Sequence, residues 1–144
     1  MKFLFIMQHA PTPEQLTAAS EGGREIVRID NDPAKKALLI VPDDKELGKE
    51  WFLARAEAIA SAAGGFGVGD TAHIMGQAQL ASAVQAAARK AGATLVESVT
   101  PRVSKETTLP DGSVKKENVF TFSGFRTVHE GFVAQIRLRI CDII

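Results

Sequence analysis

Cysteine is nearly absent: Cys141 is the only one in 144 residues. That excludes an intrachain disulfide and any metal cluster built on several thiolates, and it suits a reducing compartment. Net charge is absent too, because 17 Lys and Arg face 17 Asp and Glu. Without bulk charge there is no long-range pull toward long nucleic acid or a membrane surface. Any polyanion bound here must meet cations concentrated locally. Long hydrophobic runs are also missing. No stretch reaches the roughly 20 apolar residues that span a bilayer. The opening MKFLFIMQHA has an apolar run, Phe3–Met7, shorter than a secretory signal needs, and no small-residue cleavage site follows it. A cytoplasmic, unprocessed protein is expected. Nucleotide fingerprints are lacking: no G-x-G-x-x-G follows the first strand and no G-x-x-x-x-G-K-[ST] occurs anywhere. The three histidines lack ligand spacing and have no acidic cluster beside them, so neither a metal site nor a cofactor is expected.

What is present reads as one domain, 1–144, with a core at 1–100 and a basic appendage at 101–144. KFLFIM is the continuous apolar run of a strand covered on both faces. APTPEQLTAAS opens a helix, with Thr12 as N-cap, Pro13 in the first turn and Gln15 completing a capping box. REIVRI predicts a second strand, and DPAKKALLIVP fits either a short helix or a strand at Leu38–Val41. DDKELGKEWFLARAEAIASAAGG predicts a helix capped by Asp43 and Glu46, buried along Phe52, Ala56, Ile59 and Ala63, and stopped by Gly64. GDTAHIMG is a strand. QAQLASAVQAAARKAG is a helix burying Leu80, Ala81, Val84, Ala88 and Ala91, and ATLVESVT is a further strand. This alternation predicts an α/β, Rossmann-like, mostly parallel sheet flanked by helices.

From Pro101 the pattern changes. VSKETTL and SVKKENVFTF flank Pro110-Asp111-Gly112, a strong antiparallel hairpin signal. FVAQIRLRI then alternates cleanly, with Phe132, Ala134, Ile136, Leu138 and Ile140 on one side. It predicts a half-buried strand at a sheet edge or subunit contact.

In an open parallel sheet, ligands sit where strand ends meet helix N-termini. Two junctions fit, MQHAPT (Met7–Thr12) and MGQAQ (Met75–Gln79), each offering unpaired N–H groups that suit phosphate. Gln8 and His9 lie at the first, and His9 can donate to phosphate or carry a proton near neutral pH. Thr12 and Gln15 already have a sufficient structural role as helix caps. At the second, Gly76 permits close approach and Gln77 adjoins it. His73, inside a strand, reads as an interior group, and His129 as a loop residue. Between Arg102 and Arg126 five cations (Arg102, Lys105, Lys115, Lys116, Arg126) face three acids. Arg102, Lys105 and Arg126 fall at the hairpin base, whereas Lys115 and Lys116 beside the turn read as a solvated face. A basic flap over a phosphate-binding crevice is expected.

PRVSKETTLPDGSVKKENVFTFSGFR, with FLFIMQHAPTPEQ and GDTAHIMGQ, resembles a family of small CRISPR-associated accessory proteins of type III systems, the Csx-twenty family, whose members look like a reduced CARF domain. The resemblance spans most of residues 3–126. It implies a homodimer that binds a cyclic oligoadenylate second messenger and cleaves it as a ring nuclease, without metal. The ribose 2′-OH attacks in line and leaves a 2′,3′-cyclic phosphate. On that reading His9, Arg102 and Lys105 are catalytic, and Gln8, Thr12, Gln15, Gly76, Gln77 and Arg126 bind ligand. Two other readings stay open: a binding module that holds the ring uncut, and an α/β protein that assembles with a protein partner through Phe132–Ile140.

Overall fold

The computed structural model describes residues 1–129. The strand expected at 132–140 and Cys141 lie outside the described residues. The order is β1 (Lys2–Ile6), α1 (Pro13–Ser20), β2 (Glu25–Arg28), α2 (Pro33–Ala37), α3 (Lys49–Ala62), β3 (Thr71–Ile74), α4 (Ala78–Lys90), β4 (Thr94–Val99), β5 (Arg102–Thr108), β6 (Val114–Phe120) and β7 (Gly124–Thr127). The main sheet runs β2-β1-β3-β4-β7, while β5 and β6 form a separate two-stranded sheet. The first four strands are parallel, and β7 closes the edge antiparallel to β4. The expected α/β architecture is therefore the one found.

β1 is central, and its unbroken apolar run follows from burial on both faces. Leu4 and Ile6 join Phe52, Ala56, Ile59, Leu80, Val84 and Ala88 from α3 and α4 on one side. Phe3, Phe5 and Met7 join Ala19 and Leu16 of α1 on the other, with Phe125 of β7. Right-handed crossovers require this split. The chain steps from β1 to β2 through α1, then returns past β1 to β3 through α2 and α3, so the helices fall on opposite faces. No helix among the described residues is long and apolar enough to cross a membrane.

Local chemistry sets the boundaries. Thr12 and Gln15 form the expected capping box, with Thr12 N donating to Gln15 Oε1 at 2.9 Å and Gln15 N to Thr12 Oγ1 at 3.2 Å. The ambiguous segment after β2 resolves as a short helix, because Asp32 accepts from Ala34 N and Lys35 N beside a helix-starting Pro33. Leu38–Val41 is not a strand; Leu39 enters the core from a loop. α3 starts later than its acidic lead-in suggested, with Gly48 as an N-cap lacking a side-chain bond. Asp44 is occupied by its own turn, its Oδ1 accepting from Glu46 N at 2.9 Å, so neither Asp43 nor Glu46 caps the helix.

The strand β7 was not anticipated. GFRT pairs Val96–Val99 of β4 in register from Val99↔Gly124 to Val96↔Thr127. Beyond it, Ser123 N donates to Val99 O at 2.8 Å and Thr121 N to Pro101 O at 3.2 Å. The hairpin then begins with Arg102↔Phe120. It is thus an outgrowth of the β4–β7 pair, inserted between two sheet strands and leaving from the edge where β1, β3 and β4 end. Every residue of β5 and β6 is exposed.

A hairpin of two strands with no buried face adds little to stability. Replacing Arg102–Phe120 by a short Gly-Ser turn joining Pro101 to Thr121 should shift the urea-unfolding free energy by about 1 kcal/mol or less. A loss of several kcal/mol would show that the arm is part of the folding unit.

Candidate functional site

β1 lies between β2 and β3, and the chain leaves its C-terminal end one way and leaves that of β3 the other. The loops after these strands diverge and open a crevice at the switch point. A cleft of about 500 Å³ occupies it, lined by Gln8 and His9 after β1, Met75–Gln77 after β3, and Leu39–Val41 after α2. The sequence-selected Gln8, His9, Gly76 and Gln77 are therefore brought together. Gly76 adopts φ +151°, a region disfavoured for other residues, with open space where a Cβ would stand. Gln77 has a second job as N-cap of α4, its Oε1 accepting from Leu80 N at 3.0 Å. That leaves the N–H groups of Ala78 and Gln79 without intrahelical partners. Neither an acid nor a Lys or Arg is among the lining residues of this cleft, and α4 begins at its edge with Gln77. His9 is exposed and makes no hydrogen bond among the described residues.

Thr12 and Gln15 belong to a neighbouring cavity of about 360 Å³ on the other side of the 8–12 loop. Glu14, Thr100, Phe120, Thr121 and Phe122 complete it. The hairpin root forms one wall. Arg102 stacks its guanidinium 5.4 Å from the centre of the Phe120 ring. Lys105 lies opposite Glu117 in the hairpin ladder and makes no ion pair among the described residues. Lys115 and Lys116 pair with Glu117 and Glu106 on the exposed arm, as a solvated face should. Arg126 lies not at the hairpin base but within β7, donating through Nε and a terminal nitrogen to Glu97 Oε1 at 2.9 and 2.7 Å. The cations thus split between the hairpin and the sheet edge, and the single crevice expected from sequence becomes two adjoining pockets.

Beneath the second pocket runs a polar chain that sequence reasoning missed. Gln15 Nε2 donates to Ser98 Oγ at 3.0 Å, and Ser98 Oγ lies 2.9 Å from His73 Nε2. If Ser98's own proton goes to Nε2, the imidazole proton sits on Nδ1; Nδ1 is buried with no partner among the described residues. Phe5 and Phe125 flank the ring, centroids 6.2 and 5.7 Å away. Burial, with His9 nearby adding to it and Glu97 opposing, lowers the His73 pKa from 6.5 to about 4. The one available signal was positional: Ser98 follows Val96 by two, and so shares a sheet face with the strand neighbour of His73. Among the described residues, no three of His, Cys, Asp and Glu gather as metal ligands do.

Fold and pockets define an open α/β protein with a crevice at the C-terminal edge of its sheet. The chain matches the family described as "Uncharacterized protein MJ1673 family" over residues 1–126, and it belongs to that family. The matched segment takes in both pockets and the whole hairpin. No curated protein and no solved structure matches the chain.

His73 gives a pH prediction. The unfolded chain takes up a proton near pH 6.5 that the folded chain resists until about pH 4. Stability is therefore undiminished by this group above about 6.5 and declines as pH falls toward 4, by about 3 kcal/mol in all. Between pH 7 and 4.5 the wild type should lose about 2 to 3 kcal/mol more in urea unfolding than His73→Gln. An identical pH dependence in both proteins would contradict the buried neutral assignment.

Proposed function

We propose that the protein binds a cyclic oligoadenylate at the C-terminal edge of its sheet and cleaves it as a homodimeric ring nuclease. The observation that carries this reading is topological. The cleft of His9, Gly76 and Gln77 and the root of the hairpin that carries Arg102 and Lys105 lie at the same edge of the sheet. A ring of even repeat has its own two-fold axis, so a two-fold dimer grips it twice with one set of residues.

Each phosphodiester of such a ring carries its nucleophile, the adjacent ribose 2′-OH. The protein's task is to align that oxygen with phosphorus and the departing 5′-oxygen. The 2′-oxygen–phosphorus bond forms and the phosphorus–5′-oxygen bond breaks. The 2′ proton is taken up and a proton is delivered to the 5′-oxygen, leaving 2′,3′-cyclic phosphate and 5′-hydroxyl ends. His9 serves proton transfer or phosphate contact. The N–H groups of Ala78 and Gln79, with Arg102 and Lys105, offset charge that builds on the phosphoryl oxygens. Gln8, Gly76 and Gln77 seat the ring.

A second reading, capture without cleavage, is favoured by one observation: no hydrogen bond orients His9 among the described residues, whereas a general base is usually held by a partner. Incubation with cyclic tri-, tetra- and hexa-adenylate in EDTA separates the two. Linear products with cyclic phosphate ends are expected. His9→Ala and Arg102→Ala should each slow cleavage about 100-fold, while Lys116→Ala, whose ion pair is exposed, should leave the rate unchanged. Saturable binding of intact rings at excess protein would establish capture instead, and absence of binding would reject both.

A further inference from the structure

We infer that the cavity at the hairpin root is a nucleobase subsite, with Phe120 as its stacking face and Glu14 as the acceptor for an exocyclic amino group. The inference rests on the functional reading above for the natural ligand that carries the base. Its own grounds are the aromatic, the acid and the held amide that meet there.

Three phenylalanines close the sheet at this corner, and two are explained by packing. Phe125 lies in the core cluster of β1, and Phe122 packs edge-on against it at 5.1 Å. Phe120 is not explained in this way, because 63% of its surface is exposed. It is held at the mouth of the cavity by its pairing with Arg102, whose guanidinium lies over the ring. An exposed aromatic beside an arginine is the usual platform for an unstacked base, since both present flat faces.

The rest of the lining says which part of a nucleotide fits. Glu14 is among the lining residues, and a carboxylate there disfavours phosphate and can accept hydrogen bonds from an amino group. Gln15 is locked from both ends, its oxygen by Thr12 N and its nitrogen by Ser98. One amide hydrogen is left to donate to a ring nitrogen. The hydroxyl of Thr100 adds a group that both donates and accepts. The neighbouring cleft differs: no acid is among its lining residues, and Gln77, the N-cap of α4, is one of them. Gln8 and His9 line the first and Thr12 the second, so both draw on the segment after β1. In the proposed arrangement one nucleotide places its phosphate in the first and its base in the second. A 6-aminopurine matches this pair of pockets.

The test is titration of the isotopically labelled full chain with adenosine, purine riboside and ribose 5-phosphate, followed by backbone amide resonances. Adenosine should shift Gln15, Thr100, Thr121 and Phe122, and should bind severalfold more tightly than purine riboside, which lacks only the amino group. Ribose 5-phosphate should leave those resonances in place. Phe120→Ala should weaken adenosine about tenfold or more, Phe120→Trp should retain it, and Glu14→Ala should make the two nucleosides equal. Adenosine shifts elsewhere or nowhere, or unchanged affinity in Phe120→Ala, would overturn the subsite. Adenosine bound here by a protein that ignores cyclic oligoadenylates would instead remove the functional reading and leave the subsite standing.

Discussion

The position of β1 between β2 and β3 is the constraint on which the rest depends. A parallel strand with neighbours on both sides must be reached by crossovers running in opposite directions, and their shared handedness sends α1 to one face and α3 and α4 to the other. The residues that follow β1 and β3 therefore part company. The opening they leave is a consequence of topology, not of any particular side chain, and it exists because Phe3–Met7 can be buried completely. Polar groups placed there, such as Gln8, His9 and Gln77, are displayed without charging the core.

The hairpin follows from the same edge. β4 ends where β1 and β3 end, and β7 returns antiparallel beside it, so the 19 residues from Arg102 to Phe120 leave from that same end of the sheet. Exposed on both faces, they contribute little to fold stability, and in the proposed function they serve as an arm over the ligand. The chain Thr12–Gln15–Ser98–His73 ties the start of α1 to β4 and β3 below that arm. It fixes Gln15 at the price of a neutral, half-satisfied imidazole in the core. Such a group is retained more readily for positioning than for stability, since an unpartnered buried nitrogen is costly.

Much of this was legible in the sequence, for reasons that can be named. KFLFIM, the Thr12–Gln15 capping box and the Phe52, Ala56, Ile59, Ala63 stripe are local signals, and each corresponds to what forms. Asp43 and Glu46 misled because a carboxylate before a helix can serve its own turn instead, as Asp44 does. β7 was hidden because GFRT is four residues long and opens with glycine; only its pairing with β4 makes it a strand. The His73 chain was hidden by distance, since its bonds join residues 25 and 83 positions apart. At the site, the loops were readable from topology, but the cations were not. Register alone decides that Arg126 meets Glu97 in the sheet while Arg102 meets Phe120 at the hairpin root.

The central claim is that ligand is held at the C-terminal edge of the sheet, between the two βα loops and the arm. Amide hydrogen exchange of the full chain with and without saturating cyclic tetra- or hexa-adenylate tests it most directly. The account predicts slowed exchange in residues 8–15, 76–81 and 99–122, with no change at the opposite edge around 64–70 and 91–93. Protection centred on that opposite edge, or none anywhere at saturation, would contradict it.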